Sequence, residues 1–235
     1  MPHEILTPMK IAIISDLHGN LEALNALPQD YDELWVLGDL VNYGPNPSEV
    51  VDFIRQNAKV VVRGNHDHAI GYGVDPQCSA PFRAMAEATG AYTNSVLTAE
   101  QKKYLGLLPL CAERVVDGSR FCLCHAVPSD PLYCYCRSDS PQWEREAASF
   151  PACTIFAGHT HLPFMLRFGD HQVVNPGSLG QPKHGAPRAC YAVWEDGRVE
   201  LRSYEYPVEE TVRKVMAMPV PEGIRKSLAE VLRGG

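Results

Sequence analysis

Five short apolar runs in this chain each end in residues of metal-ligand type, and that recurrence constrains the fold more than any other feature. Lys10 to Ser15, Glu33 to Leu37 and Lys59 to Arg63 are rich in Ile, Val and Leu, and they are followed by Asp16-Leu17-His18-Gly19-Asn20, Gly38-Asp39 and Gly64-Asn65-His66-Asp67. Two later runs end in Cys124-His125 and Gly158-His159-Thr160-His161. Continuous apolar runs of this length read as strands buried on both faces. In open α/β sheets ligands bind at the carboxyl ends of strands, and glycine permits the tight turns needed there. A single Asp or His after a strand is usually a cap or a turn residue. Five such groups in order instead aim Asp, Asn and His at one edge of the molecule.

The intervening segments carry helical signals. Asn20 to Leu27 places Leu21, Leu24 and Leu27 at helical spacing, and Asn46-Pro47-Ser48-Glu49 reads as an N-cap, a first-turn proline and an acidic third residue opening a helix to about Gln56. The chain thus starts as βαβαβ. Two helices, about Ala80 to Tyr92 and Thr98 to Leu107, are expected within a helical insertion over about 69–109, the second opened by a Thr98–Gln101 capping box. Strands follow near Phe121 to Cys124, Thr154 to Ala157, Phe164 to Phe168, Gln172 to Val174, Ala189 to Trp194 and Arg198 to Ser203, the last two joined at Asp196-Gly197. A helical tail over about 207–235 holds short helices at Val208 to Met218 and Gly223 to Leu232. One α/β domain over residues 1–235 is expected, since 235 residues with 45% apolar and 21% charged side chains suffice for one large core.

Charge and composition narrow the partners. A net charge of −7 offers no basic stripe for nucleic acid, so a phosphate ligand must be attracted locally. Met1 to Pro8 has no apolar run or basic start, and no apolar run approaches the roughly 20 residues of a membrane span. A cytoplasmic protein with no membrane and no stable nucleic-acid partner is expected. Eight cysteines then read as reduced thiols. Cys122-Leu-Cys124 and Cys134-Tyr-Cys136 have one residue between the cysteines, short of the two to four usual for zinc, and are expected as packed thiols.

The five motifs, Asp-x-His, Gly-Asp, Gly-Asn-His-Asp, His and Gly-His-x-His, together resemble those of the calcineurin-like metallophosphoesterases, over about Lys10 to Ser203. The resemblance implies a two-sheet β-sandwich flanked by helices. It assigns Asp16, His18 and His161 to one metal and Asn65, His125 and His159 to a second, with Asp39 bridging both. Two divalent ions are implied, manganese first, with iron, zinc, cobalt or nickel as alternatives for oxygen and imidazole ligands. The resemblance implies an enzyme with a small phosphate-ester substrate, on which the two ions would hold and activate a water for attack. His66, which has no metal role, would point at phosphate and aid the leaving group as acid or as charge stabiliser. Asp67 reads either as a residue orienting His66 or as a turn residue. His3, His68, His171 and His184 read as surface or supporting residues. Asn175 to Pro182 also looks like a segment of small bacterial members, and reads either as a turn beside the metals or as a simple loop.

One stretch departs from the pattern. Protein phosphatases and symmetric diadenosine tetraphosphatases continue as Gly-Asp-x-Val-Asp-Arg-Gly, whereas here Gly38-Asp39-Leu40-Val41-Asn42-Tyr43-Gly44 lacks the acid and the arginine. That favours a phosphodiesterase, with a phosphomonoesterase or diadenosine polyphosphatase as the alternative. A non-catalytic scaffold on the same fold, as in retromer-type relatives, is opposed by the complete ligand set and His66. A repair-type DNA nuclease is opposed by the acidic charge.

Overall fold

The computed structural model describes residues 9–151 and 153–235. His3 and the Met1 to Pro8 stretch lie outside the described residues. In chain order the elements begin with β1 (Lys10–Ile14), α1 (Leu21–Asn25), β2 (Glu33–Val36), α2 (Pro47–Asn57), β3 (Val60–Val61), α3 (Asn65–Tyr72), α4 (Ala80–Val96) and α5 (Ala99–Leu107). There follow β4 (Cys111–Val116), β5 (Ser119–Cys124), α6 (Gln142–Ala148), β6 (Thr154–Phe156), β7 (Phe164–Phe168), β8 (His171–Asn175), β9 (Ala189–Glu195), β10 (Arg198–Tyr204), α7 (Val208–Met216) and α8 (Glu222–Leu232).

Two mixed five-stranded sheets form, in the orders β10-β9-β1-β2-β3 and β4-β5-β6-β8-β7. β1, β2 and β3 are mutually parallel, as are β5, β6 and β8, while β9 runs antiparallel to β1 and the outer hairpins are antiparallel. Alternation along each strand divides its side chains between two cores. Ile11, Ile13, Trp35 and Trp194 of the first sheet meet Phe121, Leu123, Phe156 and Val174 of the second. Phe121 packs edge-on against Trp35 at 5.3 Å and Trp194 at 5.4 Å, pinning the sheets together. Ala12, Ile14, Leu34 and Val36 face the other way, onto Leu24 and Leu27 beside α1 and Val50 and Ile54 of α2. On the outside of the second sheet Cys122, Cys124, Ile155 and Val173 pack against Trp143 and Ala147 of α6. Strands covered on both faces explain the near-continuous apolar runs.

Local signals act largely as their chemistry requires. Thr98 and Gln101 make both bonds of the capping box, Gln101 N donating to Thr98 Oγ1 at 3.2 Å and Thr98 N to Gln101 Oε1 at 3.0 Å. Asn46 occupies the N-cap of α2, but its amide donates to Glu49 Oε1 at 2.9 Å instead of capping the backbone. β4, α3 and α6 are not among the elements expected from sequence. β4 is a mostly exposed edge strand with no apolar alternation, although its Asp117-Gly118 turn, at φ 47° and 77°, repeats the geometry of Asp196-Gly197. α6 has only seven residues, and α3 opens inside a ligand motif. The four cysteines of the two Cys-x-Cys pairs lie in or against the core under α6. No helix among the described residues is long and apolar enough to cross a membrane.

Candidate metal centre

The loops after β1, β2, β3, β5 and β6 meet at one edge of the sandwich. Backbone bonds lace them together: Asp16 N donates to Gly38 O at 3.0 Å, His18 N to Asp39 O at 2.9 Å and Gly158 N to His125 O at 2.7 Å. Ligand atoms of Asp16, His18 and His161 lie within 4.8 Å of one another, and so do those of Asp39, His125 and His159. Asp39 Oδ2 stands between the groups, 3.7 Å from His18 Nε2 and 3.3 Å from His125 Nε2. Asn65 Oδ1 joins the second group, 3.1 Å from His125 Nε2. The structure therefore brings all seven residues expected as ligands into two adjoining clusters.

The donor chemistry fits a cation. Nδ1 of His18, His125 and His161 lies 3.0, 2.8 and 2.7 Å from the carbonyls of Val41, Leu37 and Gln181. A carbonyl only accepts, so each Nδ1 carries the proton and each Nε2 presents a lone pair. His18 Nε2 and His161 Nε2 then face one another at 3.3 Å, with Asp16 Oδ1 buried beside them without a hydrogen-bond partner. Facing lone pairs and an orphaned carboxylate oxygen are what a positive ion would satisfy. Burial pushes the imidazoles of His18 and His159 down to about 4 and about 3, and that of His161 well below its ordinary value, which keeps them neutral as ligands must be. His125 differs: burial works against its charge, but the adjacent Asp39 carboxylate outweighs this and raises it to about 9.

Backbone strain concentrates at the same place. Ten described non-glycine residues have positive φ, and five of them are Asp16, His18, Asp39, His159 and His161, with Asn42 and Tyr43 alongside. Such conformations cost on the order of 1–3 kcal/mol each and persist where surrounding structure over-determines them. Close approach is equally demanding. A Cβ on Gly158 would lie 2.0 Å from Ser15 Oγ and 2.9 Å from Asp16 Oδ2.

The segment Asn175 to Pro182 packs directly against the clusters and is more than a connecting loop. Asn175 Nδ2 donates to Gly158 O at 2.6 Å, Ser178 Oγ to Asp16 O at 2.7 Å, and Gln181 supplies the carbonyl that holds His161. His66 is buried at the first turn of α3, its Nδ1 2.8 Å from Asn42 Nδ2 and its Nε2 3.3 Å from Cys78 Sγ. Asp67, which the sequence leaves as an orienter of His66 or a turn residue, does not bond His66. Its carboxylate accepts from the amides of Asp39 at 2.8 Å, Leu40 at 2.9 Å and Gly64 at 3.0 Å, because the third residue of a helix folds back on its own N-terminus. Asp67 thus braces the loop that carries Asp39, and Asn42 is the group that meets His66.

A cavity of about 240 Å³ opens over Asp39, Asn65, His66, His159 and His161. Tyr43, Cys78, Phe82, Tyr133, Tyr135 and Lys183 complete its wall. Asn42 and Lys183 escaped sequence reading. Asn42 was visible only as a departure from a motif, and the signal for Lys183 was its place directly after the Asn175 to Pro182 segment. His68, His171 and His184 lie outside both clusters: His68 packs on Tyr72 at 4.7 Å, His171 Nε2 bonds Phe150 O at 2.9 Å, and His184 sits beside Cys190.

Comparison with known proteins agrees with this geometry. The sequence profile of the calcineurin-like phosphoesterase superfamily domain matches residues 9–196. The chain belongs to that superfamily. An uncharacterized protein of Methanocaldococcus jannaschii is 31% identical, the alignment covering 93% of this chain and 96% of that one. A metallophosphoesterase from Sphaerobacter thermophilus has the same fold with a TM-score of 0.81 at 31% identity, covering 97% of this chain and all of its own. The symmetrical bis(5′-nucleosyl)-tetraphosphatase of Vibrio parahaemolyticus is 31% identical over 60% of this chain, which spans 48% of that enzyme's length. Membership of the superfamily supports a phosphoesterase hydrolase, and its Asp and His clusters are suited to divalent metals.

Proposed function

We propose that this chain is a metal-dependent phosphodiesterase. The observation that carries the reading is the pair of clusters sharing Asp39 on the floor of a cavity that also contains His66. Asp16, His18 and His161 would hold one divalent ion, Asn65, His125 and His159 the other, and Asp39 both. When bound, two such ions lower the pKa of water and neutralise phosphate oxygens. Imidazole and oxygen donors without thiolate suit manganese first, and equally admit iron, zinc, cobalt or nickel. An interaction scaffold would have no use for the strained backbone gathered at these residues.

His66 is the group of this chain placed to meet the leaving oxygen. Its partner, Asn42, is a neutral amide, which adds no charge to favour an imidazolium, and burial pushes His66 down to about 3 in spite of Asp39. With Asn42 Nδ2 donating to Nδ1, Nε2 carries the hydrogen, which faces Cys78 Sγ at 3.3 Å on the cavity wall and would turn from that weak acceptor to a leaving oxygen. A neutral donor stabilises developing charge better than it delivers a full proton, so substrates with able leaving groups are favoured. Tyr43 directs its hydroxyl to Cys78 Sγ at 3.4 Å and supplies no phosphate grip. The neutral donor favours esters with able leaving groups, and the loss of the bidentate arginine fork from the second motif is what supports a diester over a monoester dianion.

The test is a panel of esters on protein stripped of metal and reloaded with Mn, Fe, Co, Ni or Zn. Bis(p-nitrophenyl) phosphate should be hydrolysed with a kcat/KM at least equal to that of p-nitrophenyl phosphate. The Vibrio relative makes diadenosine tetraphosphate the necessary competitor. A strong preference for it, or for phosphoserine peptides, overturns the diesterase reading.

A further inference from the structure

We propose that Lys183 binds the substrate's phosphate group, supplying the cationic grip that the Asn42-Tyr43 stretch lacks; this rests on the phosphoesterase reading. Lys183 shares the cavity wall with Asp39, His66, His159 and His161. Its ammonium forms no ion pair among the described residues and lies 4.0 Å from the centre of the Phe82 ring. Burial lowers it to about 8, opposed chiefly by the Asp16 carboxylate. A partly buried ammonium that lines the cavity, with an aromatic face on one side and no ion pair among the described residues, is free to meet an anion entering there.

Its placement is fixed from the metal side. Ser178 Oγ donates to Asp16 O and accepts from Gln181 N, both at 2.7 Å, and Gln181 O accepts from His161 Nδ1 at 2.7 Å. Pro182 then restricts the backbone immediately before Lys183. The lysine therefore stands at the end of a segment registered on two candidate ligands, and Phe82 of α4 steadies its far side. Two divalent ions would exceed the charge of Asp16 and Asp39, and Lys183 adds to the surplus. In a chain of net charge −7 the cavity becomes a local anion site.

The test compares Lys183→Met and Lys183→Arg with the wild type, all metal-loaded and with metal content measured. Inorganic phosphate is the probe, titrated calorimetrically. Lys183→Met should weaken phosphate binding by about 10–100-fold with both ions retained, and should raise KM for bis(p-nitrophenyl) phosphate more than it lowers kcat. Lys183→Arg should stay within a few-fold of wild type. In the wild type, phosphate should also protect Lys183 from an amine-reactive label. Equal phosphate affinity in wild type and Lys183→Met, or a Lys183→Arg as impaired as the methionine variant, overturns the inference while leaving the phosphoesterase reading intact. A metal-loaded wild type that hydrolyses no ester refutes that reading instead, and failure to bind phosphate refutes the role of Lys183.

Discussion

Replacing Gly64 by alanine tests a close contact at Asp39, the residue shared by both clusters. The added Cβ would lie 2.0 Å from Asp39 Oδ1, 2.4 Å from Asp39 N and 2.7 Å from Asp39 Cγ. Gly64 has φ −86° and ψ 170°, ordinary for any residue, so the cost is steric and not conformational. Neither side can retreat easily, because Asp67 Oδ2 accepts from both Gly64 N and Asp39 N and ties the two strand ends to one carboxylate. Overpacking of this kind costs about 1–3 kcal/mol, or a fall of roughly 2–12 °C in Tm for a chain of this size. Displacing the residue shared by both clusters should also weaken metal binding by about 10–100-fold. Gly223→Ala is the control. It sits in the first turn of α8 with no atom within 4 Å of its would-be Cβ, and should gain about 0.4–1 kcal/mol. Thermal unfolding and elemental analysis of both variants read the difference. A Gly64→Ala protein that binds two ions as tightly as wild type and melts within a degree of it would refute the steric argument. Loss of stability with metal retained would reduce the effect to that of a poorer helix cap.

Other variants separate the roles. Asp39→Ala should weaken both ions, whereas His18→Ala or His161→Ala should weaken one and His125→Ala or His159→Ala the other; elemental analysis showing full occupancy in Asp39→Ala would refute the shared position. His66→Ala should keep both ions and lose about 10²–10⁴-fold in kcat on an alkyl ester, less on a nitrophenyl ester, and metal loss would show His66 to be a ligand. Asn42→Asp would set a carboxylate at the position now 2.8 Å from His66 Nδ1, raising that imidazole by about 1–3 pKa units. The alkaline limb of its kcat–pH profile should move up, because an acid acts until it loses its proton, and poor leaving groups should gain relative to good ones; an unchanged ratio would argue that Asn42 does not govern His66.

Much of the fold was legible because its strands are buried on both faces. Ile11, Ile13, Ala12 and Ile14 all need to be apolar, whichever core they enter, so β1 is as plain in sequence as in space. β4 had no such signature, since an exposed edge strand such as Cys111–Val116 can carry Glu113 and Arg114 without penalty. β3 shows the opposite limit. Lys59 to Arg63 reads as five strand residues, but only Val60–Val61 pair with β2 before the chain turns toward Gly64.

The site was legible to the extent that each residue's position follows from where its own strand ends. Asp16, Asp39, His125 and His159 sit one to three residues beyond a strand, so order along the chain already implies the edge they share. Contacts between loops carry no comparable signal. His66 and Asp67 both lie in the first turn of α3, where successive side chains are splayed by about 100° and the third residue bends to the cap. That turn sends Asp67 to the Asp39 loop and leaves His66 to Asn42, a residue 24 positions upstream. The missing acid of the second motif is therefore a change in the partner of His66, and its absence bears on the leaving group before it bears on metal binding. The candidate ligands hang from strand ends, whereas Tyr43 and Lys183 line the cavity from loops and Asn42 meets His66.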